Sequence, residues 1–267
     1  MTAGSRTTFA TAYDRAGPKG ALPVVLIHAG VADRRMWDAQ WSALTSTHDA
    51  IRLDLRGFGD SDARPDGPVS HPQDVLDTLD ELGIQRCHLV GASFGAGVAV
   101  ESALLAPDRV ESLLLAAPGG SLLAELTPDL QAFFDAERAA LGAGDLDAAV
   151  EANITTWVAG PQRETADMDV RLCDDVRQMQ RRAFEVTADW DDVEERELEP
   201  PTLERLADVR ARTLVLVGGL DLDTVQDAAR QVVKGVPGSR RVDWADVGHL
   251  PSMERPADFH TLVDTWL

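Results

Sequence analysis

The sequence predicts an α/β fold, in which a mainly parallel β-sheet is covered by helices on both faces. Short runs rich in Val, Leu and Ile alternate with segments whose apolar residues recur at helical spacing, which is the pattern of β–α–β units. The runs are apolar at successive positions, as in strands buried on both faces. The alternation stops between about residues 119 and 201, where only helical patterns occur, and then resumes. We therefore expect a parallel sheet with a helical insertion.

Before the insertion, the alternation predicts four strands and three helices. The strand at residues 23–28 has four consecutive Val, Leu and Ile residues. The helix at residues 74–82 places its apolar residues on one face and ends at Gly83, a residue type that favours a helix C-terminus. The other strands are predicted at residues 50–54, 87–90 and 110–116, and the other helices at residues 36–48 and 93–105.

Within and beyond the insertion, the elements follow from the same periodicities. The insertion closes with an acidic run that ends in Pro200 and Pro201. The final helix, predicted at residues 256–267, has proline in its first turn, where proline is favoured. The inserted helices are predicted at residues 122–141, 146–157 and 170–186, the strands beyond at residues 213–217 and 239–244, and a further helix at residues 224–233.

The composition excludes several classes of partner. The chain has 267 residues with 45 Asp and Glu against 25 Lys and Arg, a formal net charge of −20. Such a field repels phosphate backbones and anionic lipid, so we expect neither nucleic acid nor a membrane as partner. Cys87 and Cys173 lie far apart and match no metal-binding spacing, and the N-terminus lacks an apolar signal core. We expect a cytoplasmic monomer or homodimer with no metal and no organic cofactor.

The sharpest local motif is Gly-Ala-Ser-Phe-Gly at residues 91–95, centred on Ser93. It lies between a predicted strand and a helix of small residues. A serine on such a tight strand-to-helix turn needs small residues two positions before and after it, and the turn projects its hydroxyl above the sheet edge. Ser93 is therefore the predicted nucleophile.

A serine hydroxyl needs a base, and His249 is the predicted one. It lies in a loop after the last predicted strand, at the carboxyl edge of the sheet, where active sites gather. The carboxylate that orients it is predicted to be Asp221, which follows the strand at residues 213–217. Asp223 stays open as an alternative, because it is only two residues further on.

Acyl transfer also requires donors for the oxyanion that develops on the carbonyl oxygen. The backbone N–H of Phe94, directly after the nucleophile, is one predicted donor. The other is predicted in the loop after His28, from Gly30 or from Val31, since the small residues there let the backbone approach the site.

Together these motifs resemble the α/β-hydrolase superfamily over nearly the whole chain. Ser93, Asp221 and His249 follow one another in the order that this fold uses. The resemblance implies a mainly parallel eight-stranded sheet with a helical cap inserted after the sixth strand. The core would then be residues 1–118 and 209–267, and the cap residues 119–208. The chain looks most like small capped esterases and enol-lactone hydrolases.

Three features refine that resemblance. Members usually have His-Gly where this chain has His28 and Ala29, so we expect the oxyanion loop to lie in a slightly different position. The Gly-Gly-Pro-Gly loop of proline iminopeptidases is missing. A serine nucleophile, in place of aspartate, argues against haloalkane dehalogenases and epoxide hydrolases.

The resemblance implies hydrolysis of a small ester or lactone through an acyl-enzyme on Ser93. The same triad also serves carbon–carbon bond hydrolysis, cofactor-free perhydrolysis and slow hydrolase-like receptors, and these alternatives stay open. Val31, Trp157 and Leu250 are the candidate substrate contacts. Arg181 and Arg182 are candidates for binding a substrate carboxylate, although arginines on a helix are more often exposed.

Overall fold

The computed structural model describes residues 5–8 and 11–267, and its centre is one eight-stranded sheet. Residues 1–4, part of the stretch expected to lack a signal core, lie outside this range. The sheet order is β1-β2-β4-β3-β5-β6-β7-β8, and all pairs from β4 to β8 are parallel. The strands are β1 Ser5–Arg6, β2 Ala12–Ala16, β3 Val24–Ile27, β4 Ala50–Leu53, β5 Cys87–Ala92, β6 Val110–Ala116, β7 Arg212–Gly218 and β8 Arg240–Trp244.

Helices cover both faces of this sheet. The central strand β3 is buried at every residue, so its side chains feed two separate apolar cores, one on each face. The predicted α/β fold with a mainly parallel sheet is confirmed. The helices are α1 Asp38–Thr47, α2 His71–Glu81, α3 Phe94–Leu105, α4 Pro128–Gly142, α5 Leu146–Asn153, α6 Val170–Val186, α7 Asp223–Gly235, α8 Pro251–Glu254 and α9 Pro256–Trp266.

The segment between β6 and β7 contains α4, α5 and α6 and, in this fully described stretch, no strand of the sheet. It also contains a π-helix, Ile154–Ala159, and 3-10 turns at Gly120–Leu122, Thr165–Asp167 and Thr202–Asp208. The helical insertion thus follows the sixth strand. Whether residues 119–208 act as a separate unit stays a prediction.

Two inserted helices differ from the sequence-based expectation. The helix predicted from residue 122 begins only at Pro128, because Thr127 caps it: the Thr127 hydroxyl accepts the Leu130 N–H at 3.4 Å, and proline occupies the first turn. The helix predicted through residue 157 leaves α geometry at Ile154 and continues as the π-helix.

Three of the strands and helices were missed. Strand β1 has only two residues, both exposed. Strand β2 is half-exposed and mixes polar with apolar residues, since it lies near the sheet edge and pairs antiparallel with β4. Helix α8 has only four residues, too few for a period to be recognised. No helix in the described part of the chain is long and apolar enough to cross a membrane.

Candidate active site

Ser93 lies at the junction of β5 and α3, in the strained turn that the motif predicts. Its backbone angles are φ 51° and ψ −117°, in a region that residues with a side chain rarely adopt. The flanking glycines leave no room for a side chain. A Cβ on Gly91 would lie 2.3 Å from the Gly95 carbonyl oxygen, and one on Gly95 would lie 2.4 Å from the His28 oxygen. The close approach of β3 to this turn therefore requires glycine.

His249 and Asp221 reach Ser93 from two neighbouring loops at the same sheet edge. The Nε2 atom of His249 lies 2.7 Å from Ser93 Oγ, and its Nδ1 lies 2.9 and 3.0 Å from the two Asp221 carboxylate oxygens. Both side chains are almost completely buried. Asp223, the open alternative, is exposed at the start of α7 and is not the partner of the ring. The structure brings together the three residues that the sequence predicts.

The proton positions follow from these contacts. A carboxylate at Nδ1 holds the proton on that nitrogen, so Nε2 is the free acceptor that faces the serine hydroxyl. The arrangement can therefore remove a proton from Ser93 Oγ and stabilise the imidazolium that results.

Free backbone N–H groups face the other side of Ser93. Phe94 is the first residue of α3, and an N–H there has no acceptor within its helix. In the described part of the chain, the N–H groups of Gly30 and Val31 also have no hydrogen-bond acceptor. All three residues line one cavity with Ser93. The arrangement can thus donate hydrogen bonds to a developing negative charge, helped by the N-terminal dipole of α3.

Gly119 completes this side and was missed by the sequence analysis. A Cβ there would lie 3.1 Å from Ser93 Oγ and 3.5 Å from the Phe94 nitrogen. Its own N–H donates to the Ser93 carbonyl oxygen at 3.1 Å. Its place directly beyond β6, at the carboxyl edge of the sheet, was the signal that could have identified it.

His28 lies near the site but is held neutral within the backbone. Its Nε2 accepts the Leu55 N–H at 2.9 Å, and its Nδ1 donates to the Ala29 carbonyl oxygen at 2.8 Å. Complete burial lowers the pKa of His28 to about 4. Both ring nitrogens are engaged, so His28 fixes the start of the loop that carries Gly30 and Val31 and takes no proton from Ser93.

A cavity of about 510 Å³ opens above Ser93, between the sheet edge and the inserted helices. Val31 and Trp157 line it, and the Trp157 ring lies 4.6 Å from the His249 ring, centre to centre. Leu250 does not line it, because this residue is 1% exposed and packs in one of the two apolar cores. Two of the three candidate substrate contacts therefore face the cavity.

The two candidate carboxylate-binding arginines lie elsewhere. Arg181 pairs with Asp147, and Arg182 donates to Asp62 at 2.8 Å and to the Gly59 carbonyl oxygen at 3.1 Å. Neither lines the cavity of Ser93.

An ion pair joins the π-helix to the loop of His249. Arg163 donates to Glu254 at 2.6 Å and to the carbonyl oxygens of Val158 and Ala159, at the end of the π-helix. Glu254 in turn accepts the N–H of Gly248, next to His249, at 3.0 Å. We call Arg163 and Glu254 the clip. It links the helix that carries Trp157 to the loop that carries the histidine.

Within residues 5–8 and 11–267, no group of three or more His, Cys, Asp or Glu side chains is placed to hold a metal ion. Cys87 and Cys173 are buried free thiols, and burial raises the pKa of Cys87 to about 12.

Comparison with known proteins points to one family. Residues 24–262 match the model of the alpha/beta hydrolase family. The chain is 29% identical over 258 residues to the dihydrolipoyllysine-residue acetyltransferase component of the acetoin cleaving system of Cupriavidus necator, covering 94% of this chain but only 64% of that protein. It is 25% identical over 250 residues to 3-oxoadipate enol-lactonase 1 of Acinetobacter baylyi, covering 91% of this chain and 87% of the relative. A hydrolase of known structure from Pseudomonas aeruginosa is 28% identical, with a TM-score of 0.76 over 96% of this chain and 93% of that one.

Proposed function

The chain belongs to the alpha/beta hydrolase family, and on that premise we propose that it is a serine hydrolase of small esters or lactones, acting through an acyl-enzyme on Ser93. One observation carries the proposal: the 2.7 Å contact between Ser93 Oγ and His249 Nε2, with Nδ1 of the same ring on the buried Asp221 carboxylate. This is the arrangement that a serine needs to become a nucleophile at neutral pH. The relative named as an enol-lactonase supports an ester or lactone as substrate.

In the proposed mechanism, Ser93 Oγ attacks the acyl carbonyl while its proton passes to His249 Nε2. The oxyanion accepts hydrogen bonds from the Phe94 N–H and from the N–H of Gly30 or Val31. His249 returns the proton to the leaving oxygen, the carbon–oxygen bond breaks, and the acyl group remains on Ser93. Water then attacks this acyl-enzyme by the same steps and releases the acid.

We also propose that residues 119–208 select the substrate. Helices α4, α5 and α6 and the π-helix provide one wall of the cavity, whereas the sheet edge provides the serine and the N–H groups. The apolar part of that wall includes Phe133, whose ring lies 5.4 Å from that of Trp157. Such a wall suits an apolar acyl chain or ring.

The test is hydrolysis of p-nitrophenyl esters from acetate to octanoate by the wild type and by Ser93→Ala. We expect turnover by the wild type and only background hydrolysis by the variant, with a chain-length preference that reports the size of the cavity. Ser46→Ala, on the exposed side of α1, is the matched control and should keep full activity.

A second measurement tests the covalent step by itself. A fluorophosphonate should add one phosphonyl group per chain, and peptide mass analysis should locate it on Ser93. Full esterase activity in Ser93→Ala, or labelling at another residue, would refute the assignment.

A further inference from the structure

The cavity of Ser93 contains a polar cluster that the proposed hydrolysis does not use. It consists of Glu137, Asn153 and Gln180, contributed by α4, α5 and α6, respectively. All three line the same cavity as Ser93, in a wall that is otherwise mainly apolar.

Glu137 is the charged acceptor of this cluster, and Asn153 occupies only one of its two carboxylate oxygens. The Nδ2 amide of Asn153 donates to Glu137 Oε1 at 2.5 Å and to the Ala149 carbonyl oxygen at 3.0 Å, so both of its protons are used. Its Oδ1 remains an acceptor. Gln180 is only 5% exposed, and its Oε1 is enclosed without a partner within the described chain, so a donor in the cavity would reach Glu137 and not this oxygen.

Charge favours the same kind of ligand. The cavity lining contains two carboxylates, Glu137 and Glu195, and neither Lys nor Arg. Burial raises the pKa of Glu137, although the Asn153 hydrogen bond opposes that effect. A second carboxylate on the substrate would find no counter-ion here, since Arg181 and Arg182 are paired outside the cavity.

From these contacts we propose that the substrate presents a hydrogen-bond-donating group, best an ammonium and next a hydroxyl or amide N–H, to Glu137, and that esters with a second carboxylate are rejected. This inference rests on the proposed function, because it assumes that Ser93 attacks the other end of the same molecule. It assigns Glu137 as the residue that selects substrates by charge.

Alkylboronic acids test the inference without turnover. Ser93 Oγ adds to the trigonal boron, its proton passes to His249, and a tetrahedral boronate forms with no bond to carbon broken. The probes are four series of boronic acids, which end in methyl, hydroxyl, ammonium or carboxylate. Each series contains chains of three to six carbons. Inhibition constants are measured for the wild type, Glu137→Gln and Asp135→Asn.

For the best-fitting chain length, we expect the ammonium probe to bind at least about tenfold more tightly than the methyl probe. The carboxylate probe should bind at least about tenfold more weakly than the methyl probe. Each tenfold difference corresponds to about 1.4 kcal/mol of binding free energy. Glu137→Gln keeps the shape of the side chain but removes its charge. It should bring the ammonium and carboxylate constants within about threefold of each other. Asp135→Asn removes the same charge from an exposed site on α4 and should keep the wild-type order.

Equal constants for all four probes in the wild type, or an unchanged order in Glu137→Gln, would overturn the inference. Thermal unfolding of Glu137→Gln verifies that the variant is folded. Failure of even the methyl probe to inhibit would refute the serine mechanism instead, and the inference with it. The two failures are therefore distinguishable.

Discussion

Ser93 shows how one residue can combine strain and chemistry. Its positive φ is imposed by β5, which ends at Ala92, and by α3, which begins at Phe94. A non-glycine residue held at such angles costs about 1–3 kcal/mol, and it persists because the surrounding structure determines it. The turn leaves the hydroxyl on the cavity side, whereas Ala92 and Gly95 are buried.

This strain can be measured by comparing two variants that both lack the hydroxyl. Ser93→Gly should unfold at a higher free energy than Ser93→Ala, by about 1 kcal/mol or more, since glycine adopts positive φ without steric cost. Urea unfolding at pH 7.5 measures the difference. Equal stability of the two variants would mean that the turn is not strained in solution.

Gly119 limits the size of the side chain and not the backbone conformation, because its backbone is extended and any residue could adopt its angles. Only space prevents a side chain there. Gly119→Ala should therefore fold normally, with kcat reduced about tenfold or more, because the methyl group crowds Ser93 Oγ and the Phe94 N–H.

Gly142→Ala is the matched control for that prediction. A Cβ on Gly142 meets nothing within 4 Å, and the residue lies in α4. This variant should keep full activity and gain about 0.5–1 kcal/mol of stability, because alanine favours a helix. Normal activity of Gly119→Ala on the p-nitrophenyl esters would contradict the proposed position of the oxyanion.

At the scale of elements, the clip connects two parts of the site that are far apart in sequence. The side chains of Arg163 and Glu254 are only 17% and 11% exposed. Arg163 lies across Gly248, where a Cβ would be 2.1 Å from its Nη2 atom. The clip therefore fixes the end of the π-helix against the histidine loop, and with it the contact between Trp157 and His249.

Loss of the clip should reduce both stability and turnover. For Arg163→Gln we expect a loss of about 2 kcal/mol in the free energy of unfolding, because Glu254 keeps a partly buried charge without its partner. We also expect a larger decrease in kcat than increase in KM, because the variant loosens His249 more than the cavity wall. Arg230→Gln, which breaks the exposed pair with Asp227, should change neither. A pure KM effect of Arg163→Gln would argue against a positioning role.

Most strands and one inserted helix could be predicted from the sequence. Apolar periodicity was sufficient for β3 to β8 and for α6, which begins and ends at the predicted residues. Ser93 and His249 could be located because each follows a predicted strand at the carboxyl edge of the sheet, although only the strand before Ser93 is buried. Their catalytic roles, and those of Asp221, Phe94 and Gly30, stay predictions until activity is measured.

The remainder depends on contacts that a local pattern does not contain. The π-helix at Trp157 is held by Arg163 and by Glu254, which is about a hundred residues away in sequence. Glu137 has the spacing and composition of an ordinary exposed helix residue, and only the packing of α4 against α5 brings it to Asn153. Strand β2, next to the edge strand β1, lacks a continuous apolar run, because only part of it is buried.

At the scale of the whole molecule, the buried polar groups link folding to pH. His28 lies at the end of the central strand β3, where it is covered on all sides and bonded to two backbone segments. Its neutral form is built into the folded state, whereas the unfolded chain can protonate it freely.

The folded-state pKa of His28, about 4, lies below the ordinary value of 6.5. Between these values the unfolded chain binds a proton that the folded chain does not, so stability decreases as pH falls from about 6.5 towards 4. A difference of about 2.5 units corresponds to a loss on the order of 3 kcal/mol, at about 1.4 kcal/mol per pH unit. Burial raises the pKa of Asp54 to about 6, which opposes this loss below about pH 6. The His28 contribution should therefore appear as the difference in slope between the wild type and a variant without the ring, in urea unfolding between pH 7.5 and 4.5.

The matched variants separate His28 from the other acidic and basic groups. His28→Asn should be less stable than the wild type at pH 7.5 but should lose less on acidification, because the titrating ring is gone. His260→Gln, on the partly exposed side of α9, should keep the wild-type slope. A wild-type slope in His28→Asn would assign the pH dependence to other groups.

The π-helix has a consequence for how relatives of this chain can diverge. Its i to i+5 bonding, seen where the Gly160 N–H donates to the Thr155 carbonyl oxygen at 3.1 Å, accommodates one residue more than an α-helix would. Deleting a single codon within this stretch before Trp157 would restore α geometry and shift Trp157 by one position around the helix axis, which is about 100° in an α-helix. Trp157 would then leave the histidine ring, whereas Ser93, Asp221 and His249 lie outside the stretch. The lining of the cavity can therefore change among relatives through a one-residue deletion as well as through substitutions.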